Sequence, residues 1–128
     1  MHITKNTKKV LLVGADPAML KILLSHFADK NVEFSIAILP EEVLHKIETV
    51  RPDLVLLDVL VPRESGLEIL EAIRKNPKTK GTPVLVLSIL GDEEIIQRAR
   101  SLGVVDYVVK GTISLEEFED KIQSFLWP

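Results

Sequence analysis

Five short apolar runs, separated and followed by five segments of helical periodicity, constrain this chain more than any other feature. The runs are Val10–Val13, Val32–Leu39, Leu54–Leu57, Val84–Leu87 and Val105–Val109. Runs of this length, alternating regularly with helices, read as a parallel sheet covered on both faces. The first, third and fourth are continuously apolar, as strands buried on both faces are. The second alternates, with Val32, Phe34 and Ile36 against Glu33 and Ser35, and the fifth opens on Asp106 and Tyr107. Mixed polarity suits the two edges of a sheet.

The helix signals agree. Asp16-Pro17 reads as an N-cap and a first-turn proline, and Leu20, Leu23, Leu24 and Phe27 give the first helix one apolar face. The second starts near Pro40 and carries Val43, Leu44, Ile47 and Val50. Ser65-Gly66-Leu67-Glu68 reads as a capping box ahead of Leu70 and Ile73. The fourth begins near Asp92, where the run Asp92-Glu93-Glu94 suits the helix dipole. It carries Ile95, Ile96, Ala99 and Leu102 and stops at Gly103. Ser114-x-x-Glu117 opens the fifth, with Leu115, Phe118, Ile122 and Phe125 behind it, and Trp127 closes it. Asn76–Pro83 reads as a surface loop. The expected fold is α/β, a flavodoxin-like (βα)5 arrangement with strand order 2-1-3-4-5, right-handed crossovers and helices on both faces. An N-terminal tail, 1–8, precedes one domain, 9–128.

Composition excludes several functions. The chain of 128 residues has no cysteine, which removes disulfides, thiolate zinc sites and a cysteine nucleophile. Lys and Arg number 16 against 19 Asp and Glu, a net charge of −3 with no basic excess for nucleic acid. No apolar run approaches the roughly 20 residues of a membrane span, and the basic start has no cleavage site. The expectation is a soluble cytoplasmic protein. His2, His26 and His45 lack metal-ligand spacing and read as surface or helix-face residues.

In such sheets ligands bind beyond the carboxyl ends of the strands, at the switch point between strands one and three. Gly14-Ala15-Asp16 follows strand one, Asp58 follows strand three, Ser88 follows strand four and Lys110 sits at the end of strand five. A carboxylate, a hydroxyl and an amine thus converge on one crevice. With the motif Pro52-Asp53-Leu54-Val55-Leu56-Leu57-Asp58, then Pro62, Gly66 and Tyr107-Val108-Val109-Lys110, the chain resembles a response-regulator receiver domain of two-component signalling over nearly its whole length. The resemblance implies that Asp58 is the phosphoacceptor, that Ser88 and Lys110 contact the phosphoryl group, and that Tyr107 is the switch aromatic. A carboxylate is a competent nucleophile for an acyl phosphate. Charge on the equatorial oxygens must then be neutralised, normally with Mg²⁺.

The sequence departs from that family at Gly14 and Ala15, which stand where receivers carry the acidic metal-binding pair. Asp16 reads as a helix cap, so a cation has Asp16 and Asp58 at most. No cofactor is expected, and Mg²⁺ only weakly. Ile89 replaces a small residue and is expected to crowd the crevice, Gly111 stands where many receivers have proline, and Val59-Leu60-Val61 is apolar for a segment beside a phosphate site. The expected function is an atypical receiver, not an enzyme, with weak or absent phosphorylation at Asp58 and signalling by protein contact. Its partners are a histidine kinase or other signalling protein, and an output domain or downstream protein. The resemblance places the contact on the face of helix four, strand five and helix five, with Arg98 and Arg100 as polar contacts and a homodimer as one arrangement. One alternative is a conventional phosphoacceptor that tolerates Gly14 and Ala15. Another is a small cofactor-binding protein, for which Gly14-Ala15-Asp16-Pro17 is a poor phosphate cradle.

Overall fold

The structure, a computed structural model, describes residues 7–14, 17–59, 63–89 and 91–128. Among them run β1 (Lys8–Val13), α1 (Pro17–His26), β2 (Val32–Ala37), α2 (Pro40–Val50), β3 (Leu54–Val59), α3 (Arg63–Lys75), β4 (Val84–Ser88), α4 (Glu93–Ser101), β5 (Asp106–Val109) and α5 (Leu115–Leu126). The strands are all parallel, in the order β2-β1-β3-β4-β5. The two runs of mixed polarity are the edges, as expected. The expectations at His2, Ala15, Asp16, Leu60, Val61 and Pro62 lie outside the described residues.

Strand side chains alternate between faces, so each central strand feeds two cores. Leu11, Val13, Val55, Leu57, Val84 and Val86 meet Val43, Ile47, Leu70, Ile73 and Ala99 from α2, α3 and α4. Val10, Leu12, Leu54, Leu56, Leu85 and Leu87 meet Leu23, Phe118, Ile122 and Leu126 from α1 and α5, with Phe27 just beyond α1. Full burial of one such side chain stabilises the fold by roughly 1.5–3 kcal/mol.

Some expected details move. β1 begins at Lys8, paired with Val32, because the ladder extends past the apolar run. β2 ends at Ala37, and Leu39 becomes the N-cap residue of α2. Leu24 is exposed, since α1 packs through Met19, Leu20, Leu23 and Phe27. α3 starts at Arg63, so Ser65 lies inside the helix and is not its cap. The capping box of α5 is present: the Glu117 N–H donates to Ser114 Oγ (3.0 Å) and the Ser114 N–H to Glu117 Oε1 (2.7 Å). That backbone donor holds the Glu117 carboxyl below the usual carboxylate range. His26 is more than a helix-face residue: its Nδ1 lies 2.9 Å from Oε1 of buried Glu119 and ties α1 to α5.

At the amino end of β4 and β5, Arg74 joins two loops. Its Nε donates to the carbonyl of Leu102 (2.6 Å), its NH1 to those of Lys80 (2.9 Å) and Thr82 (2.7 Å), and its NH2 to that of Gly103 (3.2 Å). Burial pushes the guanidinium below its ordinary pKa, yet the group stays charged, and charge-assisted bonds are the stronger kind. Only a planar fork serves several carbonyls from one centre. Arg74→Ala is expected to cost about 2 kcal/mol, read as a fall in melting temperature of roughly 6–10 °C. Arg74→Lys is expected to recover less than half of it. A fall under about 1 °C for Arg74→Ala contradicts the assignment.

Candidate functional site

The site lies where the topology predicts it, beyond β1 and β3. Asp58 is the penultimate residue of β3. The pleat places it with Leu54 and Leu56, toward α1 and α5. Beside it is a cavity of about 20 Å³, lined by Leu12, Val13, Gly14, Met19, Leu20, Leu56 and Leu87, room for about one water. Larger open grooves, of about 740 and 530 Å³, lie at the opposite end of the sheet, against Pro83 and the loop before it.

Lys110, just past β5, reaches Asp58: Nζ lies 3.2 Å from Oδ2, with the carboxylate side chain 12% exposed. The Lys110 backbone N–H donates to the Ser88 carbonyl at 2.7 Å, which seats the turn after β5 on the end of β4. Ser88 is fully buried. The register pairs Asp58 with Leu87 and Val59 with Ser88. The pleat therefore groups Ser88 with Val84 and Val86, on the opposite face from Asp58. Tyr107 is also buried, 7% exposed, in the core beneath α2, α3 and α4. Of the residues singled out in the sequence, the structure thus brings Asp58 and Lys110 into direct contact and joins Ser88 to Lys110 through the backbone.

Gly14 adds what the sequence pattern did not reveal. Its φ is 108°, a conformation that side chains disfavour, and a Cβ built there would sit 2.6 Å from the Asp58 carbonyl oxygen and 3.1 Å from Asp58 Cβ. Position 14 is closed by the backbone of its neighbour as well as lacking a ligand. Three further details correct or explain the sequence reading. Ile89 is 61% exposed and points to solvent, so it does not crowd the crevice. Gly111 has φ 89°, which proline cannot adopt. Arg98 pairs with Glu71 of α3 and is exposed on α4, as is Arg100. On the face of α4, β5 and α5, Lys121 pairs with Asp106 at 2.7 Å.

A receiver's Mg²⁺ asks for several oxygen ligands. Among the described residues no cluster of three potential metal-binding side chains exists. Among the described residues the crevice presents one carboxylate, Asp58, against leucines and a methionine, with Lys110 Nζ 3.2 Å away. The described residues therefore offer Asp58 as one of the several oxygen ligands such an ion takes, and Asp16, the other candidate, lies outside them.

The comparisons with known proteins converge. The model of the response regulator receiver domain family matches residues 10–123. The chain is 33% identical over 121 residues to the probable transcriptional regulator ycf27 of Cyanophora paradoxa, covering 94% of this chain and 49% of that protein. It is 27% identical to the phosphate regulon transcriptional regulatory protein PhoB of Rhizobium meliloti, covering 92% and 52%. It thus spans about half the length of these curated relatives. Among solved structures, the chemotaxis response regulator CheY4 of Vibrio cholerae superimposes with a TM-score of 0.76 at 26% identity, over 94% of this chain and 100% of that one. The Mn²⁺-bound form of response regulator Rcp1 superimposes with a TM-score of 0.69 at 25% identity, over 91% and 90%.

Restoring an acid at position 14 tests the steric reading. Gly14→Asp and Gly14→Ala are both expected to lose about 1–3 kcal/mol of stability in chemical denaturation. Gly14→Asp is expected to gain no Mg²⁺ site in calorimetric titration. A fully stable Gly14→Asp that binds Mg²⁺ below millimolar concentration contradicts it.

Proposed function

The chain belongs to the response regulator receiver domain family of two-component signalling, and on that premise we propose that it is an atypical receiver working by protein contact, with little or no phosphorylation at Asp58. The observation that carries this reading is Gly14 pressed on the Asp58 carbonyl in an apolar crevice. Phosphoryl transfer to a carboxylate depends on neutralising charge on the transferred group. Here the described residues offer one ammonium for that task, and the positions of the family's acidic pair hold Gly14 and Ala15.

The partners in this reading are a histidine kinase or another signalling protein, and an output domain or downstream protein. The face of α4, β5 and α5 carries the contact in the family resemblance, with exposed Arg100 as its polar candidate. A homodimer through that face is a further arrangement. The domain turns over no substrate and needs no cofactor. No described helix is long and apolar enough to cross a membrane. One observation favours the conventional alternative, a working phosphoacceptor: Asp58 and Lys110 lie within contact distance at the carboxyl end of the sheet, as an acceptor and its cation must.

Acetyl phosphate separates the two readings. Incubation with Mg²⁺ and acetyl phosphate, followed by intact mass measurement beside a standard receiver, is expected to leave this protein unmodified. A gain of one phosphoryl group in the wild type, absent in Asp58→Ala, overturns the proposal.

A further inference from the structure

The amino end of the sheet carries positive charge that the fold leaves unbalanced. Two open grooves, of about 740 and 530 Å³, meet there at Gly81, Thr82 and Pro83. The first is lined also by Ile47, Arg51, Pro52 and Lys78. The second continues past Arg74 and Lys80 to Leu102 and Val105. The joined groove thus crosses the starts of β3, β4 and β5, neighbours in the sheet, a width of two strand spacings or about 10 Å.

Its charges are unequal. Arg51, Lys78 and Lys80 are exposed, and among the described residues no carboxylate pairs with them. Glu48 is the carboxylate in the lining. Two others nearby are engaged elsewhere: Asp53 accepts the Lys9 N–H and Asp106 pairs with Lys121. A cationic groove therefore stands on a chain of net charge −3.

The fold does not account for two of these cations. Arg51 caps the end of α2 with φ 55° and ψ 63°, a left-handed conformation that glycine or asparagine adopts at lower cost. The cap uses only its backbone N–H, which donates to the Ile47 carbonyl at 3.0 Å, and the long cationic side chain is left over. Arg74, half-buried, donates to carbonyls alone. Burial lowers its pKa, and no carboxylate among the described residues offsets that burial. An anion brought close stabilises a charge in such a position.

We propose that this groove docks an acidic segment of a partner protein in extended conformation. Arg51, Lys78 and Lys80 meet its carboxylates above Arg74, and Pro83 and Val105 meet its apolar side chains. About three extended residues span the 10 Å. Sites for small phosphorylated molecules enclose them, which an open groove does not, and the net negative chain repels nucleic acid. Docking here is separate from the state of Asp58, which lies at the other end of β3.

The test uses a fluorescein-labelled peptide of about eight residues, alternating glutamate and valine. Fluorescence anisotropy with the full chain is expected to show binding that weakens several-fold between about 50 and 300 mM salt. Lys78→Gln with Lys80→Gln is expected to weaken it roughly fivefold or more. Arg51→Gly is expected to weaken it about threefold while the melting temperature holds or rises, since glycine relieves the left-handed backbone. Lys21→Gln with Lys46→Gln removes the same charge from α1 and from the side of α2 that reaches the Ile36 carbonyl, and is expected to leave binding within about twofold. A peptide with lysines in place of glutamates is expected not to bind. Absence of binding, equal loss in the two double variants, undiminished binding by Arg51→Gly, or equal binding of the cationic peptide overturns the proposal. So does displacement of the peptide by equimolar pyrophosphate, which would make a small phosphorylated molecule the occupant.

Discussion

Lys110 reaches from the turn after β5 to set its ammonium 3.2 Å from Asp58, and the carboxyl end of the sheet is organised around that pair. A carboxylate this enclosed needs a counter-charge, because desolvation of an unpaired charge is costly. In a receiver with several acids the demand falls on a divalent cation. Here Lys110 lies against Asp58, and the described neighbours are apolar. Leu12, Met19, Leu20, Leu56 and Leu87 approach the site, and the backbone of Gly14 closes on the Asp58 carbonyl. With glycine at position 14, the backbone there packs against β3 at a distance that a Cβ would not allow.

The two ends of the sheet are built differently. At the amino end, Arg74 fastens the loop after α3 to the loop after α4 through four backbone carbonyls. The Lys9 N–H donates to Asp53 Oδ2 at 2.9 Å and joins β1 to the approach of β3. Polar groups there are spent on holding the chain. At the carboxyl end the exposed residues include large aliphatic side chains, and the ionic contact is internal.

Much of this was legible in the sequence, for identifiable reasons. The edge strands declared themselves because Glu33, Ser35 and Asp106 tolerate exposure, and the central runs because nothing polar interrupts them. Ser114 and Glu117 announced the start of α5 because a capping box has fixed spacing. The convergence of Asp58 and Lys110 followed from counting strand ends. What escaped depends on contacts between residues distant in the chain. Arg74 contacts carbonyls as many as 29 positions away, His26 meets Glu119 across the helix pair, and the closure at Gly14 depends on the path of β3. Carbonyl acceptors carry no sequence signature, so Arg74 reads as an ordinary helix-end arginine. Ile89 was misjudged for the same reason: bulk is visible in a sequence, and direction is not.

In the proposed function Lys110, without a divalent cation, balances Asp58. The most direct test is the melting temperature of the wild-type chain in EDTA and in about 10 mM Mg²⁺, since a ligand that binds only the folded state must raise it. The expected change is below about 1 °C, the same in Asp58→Ala as in the wild type. A rise of several degrees that Asp58→Ala abolishes would contradict it.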